Sequence, residues 1–317
     1  MLRYRVALTI WMFMLLAVAY HGGLGRLGPS FVWATVALGA SYIAATTVND
    51  IADKDIDRIN HPRDRGRPLV DGTANPRDLW KVHAVVAVLA VASAAPAGGA
   101  ATAIVGASLA IGWAYSLAPV RLAYRTYFAP VVLSAAYVLV PYALGLALVG
   151  AAPTRWDVLF CGGLFSLFVA RINLKDFRDR DGDAVYGKPT LLLRFGKGVT
   201  CAVSLAALLA GNALLLVALR PALPLALIIE FFVLAILAML RRLFLASDRR
   251  LEQVAIGVGA KMGNGLLITV LGLLALAEQG AALGDRVIFS VVLLVVYATA
   301  FTTLVRHPEQ VVLGYKG

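Results

Sequence analysis

Four aspartates recur at the same spacing in two short segments of the chain. The segments are NDIADKDID, residues 49–57, and KDFRDRDGD, residues 175–183. The aligned aspartates are Asp50, Asp53, Asp55 and Asp57 in the first segment and Asp176, Asp179, Asp181 and Asp183 in the second. Carboxylates are hard oxygen ligands, and they suit divalent cations such as Mg²⁺ that bridge to substrate phosphates. The repetition therefore predicts two metal-binding segments.

The spacing of three aspartates in each segment predicts a stripe along a helix. Positions i, i+3 and i+7 lie within an arc of roughly 60° when each residue turns by about 100°. The two predicted stripes are Asp50, Asp53 and Asp57, and Asp176, Asp179 and Asp183; the fourth aspartate of each segment points elsewhere. Adjacent carboxylates repel one another unless a cation joins them. The alternative is a solvated loop balanced by nearby lysines and arginines, which two copies at identical spacing disfavour.

Basic residues crowd the same two regions of the sequence. They are Arg63, Arg65, Arg67, Lys175, Arg178, Lys188 and Arg194. Guanidinium and ammonium groups bind phosphate oxygens. Together with Mg²⁺ on the aspartates, they predict a diphosphate-binding site.

The composition requires these segments to be positioned by membrane helices. Of 317 residues, 60% are hydrophobic and 15% charged, and the mean hydropathy is +0.81. Ten apolar runs without strict alternation are typical of transmembrane helices: 5–21, 30–48, 80–98, 100–116, 128–149, 156–173, 198–219, 222–240, 262–279 and 287–305. The runs at 80–98 and 100–116 need a very tight hairpin, so we expect nine or ten helices. Residues 1–21 partly imitate a signal peptide, but the run is long for one, and we expect an uncleaved helix.

The distribution of basic residues predicts the orientation in the membrane. Of 29 Lys and Arg residues, all but Arg26, Arg155, Arg220 and Arg286 fall on one predicted side. The positive-inside rule predicts that this side faces the cytoplasm, together with both termini and both aspartate segments. The membrane is expected to be a bacterial-type cell membrane. This asymmetry accounts for most of the net charge of +11, so nucleic-acid binding is not implied. We expect one integral membrane domain, 1–317, with related halves at 1–125 and 126–317.

A diphosphate site that opens into a membrane implies a lipid diphosphate, and here the sequence resembles the UbiA superfamily of intramembrane prenyltransferases. NDIADKDID is similar to the family's first signature, N-D-x-x-D-x-x-x-D, and DFRDRDGDAVYGKPTLLLRFG is similar to its second. RGRPLVDG, residues 65–72, and YSLAPVRL, residues 115–122, are similar to two further family segments. The resemblance covers about residues 1–200.

The resemblance implies an all-α bundle with a central cavity open to lipid and capped by cytoplasmic loops. It also implies Mg²⁺ bound by both aspartate stripes, and an isoprenoid diphosphate that ionises to an allylic cation within apolar walls. The substrate-binding residues it implies are Asn49, Arg65, Arg67, Tyr115, Arg121, Lys175 and Lys188. Aromatic faces stabilise cations, and the candidates for this role are Tyr42, Trp113, Tyr115 and Tyr137. The partners implied are a prenyl diphosphate and a small-molecule acceptor, with aromatic acceptors most common in the family.

The sequence departs from the family pattern at three points. Lys175 stands where many members have Asn, Ala123 stands where a basic residue is common, and the tail carries one apolar run beyond the usual nine. Glu230 is a separate feature of the sequence, because it lies within an apolar run, where a carboxylate is costly.

Glu230 is expected to pair with a residue of another helix: Asn212, Asn264 or Lys261.

Other functions share parts of this pattern. A membrane terpene cyclase would use the same ionisation step but capture the cation with the substrate's own double bonds. Phosphoribosyl transfer is disfavoured by the intact second segment and GKPT. A transporter could also contain an internal repeat, but the aspartates lie at predicted helix ends and not at the bilayer midplane. We therefore expect an Mg²⁺-dependent prenyltransferase.

Overall fold

The chain is helical throughout the part that the structure, a computed structural model, describes: residues 4–62 and 66–307. No strand occurs among these residues, which confirms the predicted all-α class. The helices are α1 Tyr4–Tyr20, α2 Pro29–Ala52, α3 Lys54–Asn60, α4 Pro68–Asp71, α5 Pro76–Ala94, α6 Gly99–Ser116, α7 Phe128–Ser134, α8 Val140–Val149, α9 Arg155–Ile172, α10 Asp176–Val185, α11 Leu191–Leu219, α12 Leu223–Leu245, α13 Arg249–Glu278 and α14 Leu283–Arg306. A π-helical turn joins α7 to α8, and a 3₁₀ turn joins α9 to α10.

Nine helical stretches in the described part of the chain are long and apolar enough to cross a membrane. They correspond to the predicted runs from 30–48 onward. The first helix, α1, has 17 residues, which is the lower limit of the ~17–25 residues that span a bilayer. The prediction of nine or ten membrane helices is therefore confirmed.

The tight hairpin between α5 and α6 forms as the sequence requires. The side chain of Asn75 accepts a hydrogen bond from the N–H of Asp78 and so caps the start of α5, which satisfies a backbone donor that has no partner within the helix. At the other end, a 3₁₀ turn leads to Gly98, whose φ of +110° reverses the chain. Residues with a side chain rarely adopt this backbone conformation. Glycine therefore permits two spans to be joined by so few residues.

The first of two compact units contains the described residues up to Ala152 together with Arg178–Gly196. One cluster in its core includes Met14, Leu38 and Leu144, from three different helices. A Cβ at Gly145 would lie 2.5 Å from the Met14 carbonyl oxygen, so α1 and α8 touch along their backbones. Small residues at such crossings are typical of membrane helices, because they permit close van der Waals packing.

The second unit contains Pro153–Phe177 and the described residues from Lys197 onward. Two polar pairs link its helices. Asn212 Nδ2 donates to Glu230 Oε1 at 2.7 Å, and Arg171 Nη1 donates to Asn264 Oδ1 at 2.8 Å. The expectation that Glu230 pairs with another helix is thus confirmed, with Asn212 as its partner. The boundaries of these two units differ from those of the predicted halves, 1–125 and 126–317. The halves were predicted from an internal duplication, and that duplication stays a prediction.

Candidate active site

The first aspartate segment lies where α2 ends and α3 begins. The predicted continuous helix is interrupted at Asp53, which has φ −102° and ψ 12°. The N–H groups of Asp53 and Asp57 nevertheless donate to the carbonyl oxygens four residues earlier, both at 2.8 Å. The helical register is therefore kept, and Asp50, Asp53 and Asp57 are all buried. The Asp55 side chain is 59% exposed and pairs with Arg58, as its position off the stripe predicts.

The second segment forms α10, a helix without interruption. Its first residue, Asp176, is buried, and so is Asp183, two turns further on. Asp179 is partly buried, while Asp181 is exposed. The same pattern of one exposed and three protected carboxylates thus appears in both segments.

Within the first unit, α3 and α10 meet closely. The N–H of Gly182 donates to Asn60 Oδ1 at 2.6 Å. A Cβ at Gly182 would lie 2.5 Å from the Ile56 carbonyl oxygen, so only glycine fits without a shift of one helix. This contact brings α3, which carries Asp57, next to the part of α10 that carries Asp179 and Asp183.

Basic side chains bridge these carboxylates. Lys188 is buried, and its Nζ lies 3.1 Å from Asp53 Oδ2 and 3.6 Å from Asp183 Oδ1, so one ammonium group contacts both segments. Arg67, also buried, donates to Asp57 Oδ2. Charge-assisted contacts of this kind are strong where water is excluded.

The loop that carries Lys188 is anchored to the loop after α6. Thr126 Oγ1 donates to the carbonyl oxygen of Pro189 at 2.6 Å. In the same loop, the Arg121 guanidinium lies over the ring of Tyr124, with Cζ 3.8 Å from the centroid, and Nη2 donates to the Tyr124 hydroxyl. Lys188 Nζ lies 5.9 Å from the centroid of the same ring. Tyr124 thus lies near two of the predicted substrate-binding cations, Arg121 and Lys188.

The remaining predicted substrate-binding residues have different positions. Asn49 Nδ2 donates to Asp53 Oδ2 at 3.1 Å and orients that carboxylate. Tyr115 is buried. In the second unit, Lys175 Nζ lies 4.0 Å from Asp176 Oδ1. Arg65 lies outside the described residues, and so does Arg63.

Three residues of this site escaped the sequence analysis. One is His61, to which the sequence analysis assigns no role. Its Nε2 lies 3.1 Å from Asp179 Oδ1. Asn60 joins α3 to α10, and Tyr124 stacks on Arg121. Asn60 and His61 lie three and four residues after the first segment. Their partners lie 122 and 118 residues away, so no local pattern points to them.

Two of the aromatic candidates pack together, and a third has another contact. Tyr42 and Tyr137 make an edge contact with ring centroids 5.9 Å apart. Trp113 donates from Nε1 to His83 Nε2 at 2.9 Å. His83 is buried, and its Nδ1 lies 3.0 Å from the Ala44 carbonyl oxygen. Trp113 is therefore part of a hydrogen-bonded structural cluster.

The donor set suits Mg²⁺, because buried carboxylate oxygens are the ligands that this ion prefers. Within residues 4–62 and 66–307, however, no three Asp, Glu, His or Cys side chains gather as the ligands of one ion. The cations described above lie between the carboxylates instead. An ion held by Asp53, Asp57 and Asp183 would take the place of their contacts with Lys188 and Arg67.

The fold and the site together define a polytopic helical membrane protein with a buried site of paired carboxylates and basic side chains. The chain belongs to the UbiA prenyltransferase family, whose family model matches residues 6–265. This confirms the resemblance drawn from the motifs. Helix α14 lies beyond the matched region.

Two characterised relatives are similar over part of the chain. The homogentisate phytyltransferase of Synechocystis sp. (strain ATCC 27184 / PCC 6803 / Kazusa) is 33% identical over 205 residues, which are 60% of this chain and 64% of the relative. The digeranylgeranylglyceryl phosphate synthase of Methanopyrus kandleri is 29% identical over 184 residues, 56% of this chain and 63% of the relative. The chain thus spans just under two thirds of the length of each relative.

Solved structures share the fold. A UbiA homologue from Archaeoglobus fulgidus bound to DMAPP and Mg²⁺ has a TM-score of 0.57 and 14% identity, over 95% of this chain and 97% of that one. The same homologue bound to GPP and Mg²⁺ has a TM-score of 0.60 and 17% identity, over 84% of this chain and 98% of that one. A structure from a study of digeranylgeranylglyceryl phosphate synthase in membranes has a TM-score of 0.61 and 15% identity, over 86% of this chain and 98% of that one. At these identities the likeness concerns the fold.

Proposed function

We propose that this chain is an Mg²⁺-dependent enzyme that transfers a prenyl group from an isoprenoid diphosphate to an acceptor within the membrane. The observation that carries the proposal is Lys188, whose ammonium group contacts Asp53 of the first segment and Asp183 of the second. Carboxylates that could bind a metal ion and an ammonium group that could bind phosphate thus lie in one buried site. The Archaeoglobus fulgidus homologue bound to DMAPP or GPP with Mg²⁺ supports the same pairing of ligands.

Each group in the site has a role in this proposal. Mg²⁺ held by the aspartates of both segments would neutralise charge on the departing diphosphate. Lys188 and Arg67, released from their carboxylates, would bind diphosphate oxygens. Asn49 holds the Asp53 carboxylate in place through its hydrogen bond, which limits the freedom lost when a ligand binds.

The prenyl chain would extend from the aspartates toward the apolar part of the membrane helices. Tyr42 lies on α2 eight residues before Asp50, about 12 Å along the helix axis at 1.5 Å per residue. Its contact with Tyr137 places two aromatic rings at that depth. Aromatic faces stabilise a developing carbocation, and apolar surroundings exclude the water that would quench it.

We further propose an aromatic acceptor. The relative from Synechocystis, which is a homogentisate phytyltransferase by name, supports this choice. The relative from Methanopyrus kandleri, named for a glyceryl phosphate product, makes a polar lipid precursor the second class to test. The motif-bearing loops and both termini are proposed to be cytoplasmic, since the basic residues collect on that side.

The first experiment measures diphosphate release by the purified protein with Mg²⁺ and prenyl diphosphates of increasing chain length. Organic extracts are analysed by mass spectrometry with and without aromatic acceptors. Release that rises with an acceptor, together with a prenylated product, is the expected result. Cyclic products without an acceptor would identify a cyclase, and the absence of any turnover would favour a carrier.

A matched pair of variants tests the carboxylate roles. Asp50→Ala removes a buried carboxylate, and Asp55→Ala removes the exposed one of the same segment. Metal stabilisation of a leaving group is worth several kcal/mol, so Asp50→Ala should lower diphosphate release by about 100-fold or more. Asp55→Ala should retain activity within about twofold. Equal activity of the two variants would refute the assignment.

A further inference from the structure

A second cationic site lies in the second unit, around Trp156. The guanidinium carbon of Arg220 lies 4.1 Å from the Trp156 ring centroid, and that of Arg155 lies 5.1 Å from it. Both arginines are exposed. The two charges are therefore at most about 9 Å apart, within the ~8–10 Å over which charges interact in physiological salt.

This site lies at the opposite end of α9 from Asp176. Arg155 is the first residue of α9, and Asp176 follows 21 residues later, after the end of that helix. At 1.5 Å per residue this distance is about 31 Å, the thickness of the hydrocarbon core. Arg220 lies in the short connection between α11 and α12. Two of the four basic residues expected on this side of the membrane thus converge on one ring.

The positive charge at this site lacks a balancing carboxylate. Neither Arg155 nor Arg220 forms an ion pair with an acidic side chain in the described part of the chain. The nearby Asp157 carboxylate instead accepts hydrogen bonds from the N–H and hydroxyl of Thr154, at 2.8 and 2.6 Å. Two like charges held on one ring repel each other, and an anion that contacts both would relieve this repulsion.

The surroundings of the two arginines are apolar and exposed. Val158 on α9 and Leu223 at the start of α12 are 69% and 72% exposed, and Leu227, one turn into α12, is 62% exposed. Such side chains next to cations at the end of a span match a ligand with a charged head and apolar tails. Tryptophan at this level is typical of the membrane interface.

We propose that Arg155, Trp156 and Arg220 bind the phosphate of an anionic phospholipid. The lipid's headgroup contacts both guanidinium groups, and its acyl chains lie against the exposed side chains of α9 and α12. The site is separate from the aspartate site and is independent of the proposed reaction.

The test titrates the purified full-length chain with phosphatidylglycerol or with phosphatidylcholine of the same acyl chains, with bound lipid counted by native mass spectrometry. A basic residue near an anionic lipid surface contributes about fivefold in affinity, from ~1 kcal/mol per residue. The double variant Arg155→Gln and Arg220→Gln should therefore bind phosphatidylglycerol about 25-fold more weakly. Its binding of phosphatidylcholine, in which the choline cation already balances the phosphate charge, should fall by less than about twofold.

The control variant carries Arg26→Gln and Arg286→Gln, which remove two charges expected on the same side of the membrane. It should bind phosphatidylglycerol within about twofold of the unmodified chain. An equal loss in both double variants, or no loss in either, would overturn the proposal. Displacement of the lipid by millimolar inorganic phosphate would show a site for free anions instead.

A further variant keeps the charges. Arg155→Lys with Arg220→Lys retains two cations but gives up the planar stacking on Trp156. If the glutamine variant does not fold, this variant should still bind phosphatidylglycerol more weakly than the unmodified chain, by several-fold. Unchanged binding there would show that the stacked geometry plays no part.

Discussion

Lys188→Met should destabilise the protein because it removes a cation shared by two buried carboxylates. Lys188, Asp53 and Asp183 have side chains that are at most 10% exposed, so water cannot replace the lost ammonium group. Removal of one partner from a buried ion pair costs about 3–5 kcal/mol. Since Asn49 also donates to Asp53, we expect the lower end of this range, ~3 kcal/mol.

The free energy of unfolding is measured on the purified protein in detergent with a chelator present. A matched control is Arg58→Met, which breaks the exposed pair with Asp55, whose side chains are 52% and 59% exposed. Exposed pairs contribute little, so this variant should retain the stability of the unmodified chain. Asp183→Asn, added to Lys188→Met, should restore part of the lost stability, because it removes one of the two carboxylates left without the cation.

Millimolar Mg²⁺ should then stabilise Lys188→Met more than it stabilises the unmodified chain. The reason is that the carboxylates no longer need to give up the lysine before they accept the ion.

Two results would refute the role of Lys188 as a stabilising cation shared by two carboxylates. One is a Lys188→Met variant as stable as the unmodified chain, and the other is a further loss of stability when Asp183→Asn is added to it.

Three further outcomes are expected. Gly182→Ala places a Cβ 2.5 Å from the Ile56 carbonyl oxygen and should lower stability by ~1–3 kcal/mol. Gly106→Ala, inside α6 with open space around it, should raise stability in thermal unfolding by up to ~1 kcal/mol, because alanine favours the helix. Equal effects would contradict the close contact of α3 and α10. His83→Phe removes the hydrogen bonds of a buried histidine to Trp113 Nε1 and to the Ala44 carbonyl oxygen. Trp113 is 48% exposed, so each bond should contribute about 0.5–1.5 kcal/mol to the free energy of unfolding, which denaturant titration checks. Unchanged stability would show that these hydrogen bonds are not needed. Chelation of divalent ions should abolish diphosphate release, and added Mg²⁺ should restore it; release that persists in the chelator would contradict the proposed metal requirement.

The helices could be predicted from the sequence because each depends on local features. The apolar runs correspond to the observed spans, and the close spacing of two runs is accommodated by a glycine at a position with positive φ. The interruption at Asp53 was not foreseen. Helical spacing alone does not show a change of backbone angles at a single residue, because the hydrogen bonds on both sides of Asp53 keep the helical i→i−4 pattern.

The site could be predicted only as far as its local spacing reaches. The stripe arrangement correctly separated Asp55 and Asp181, both exposed, from the protected aspartates. The partners of those aspartates depend on tertiary contacts between distant segments. Lys188 reaches Asp53 across 135 residues of sequence, and no periodicity in the sequence encodes such a contact.

The interruption of the helix at Asp53 has a mechanical consequence. The residue at which α2 gives way to α3 also carries a carboxylate that is held by Asn49 on one side and by Lys188 on the other. The side chain that a metal ion would engage in the proposed site thus belongs to the residue at the junction of the two helices. A ligand that displaced either partner would therefore act on the one residue that joins α2 to α3.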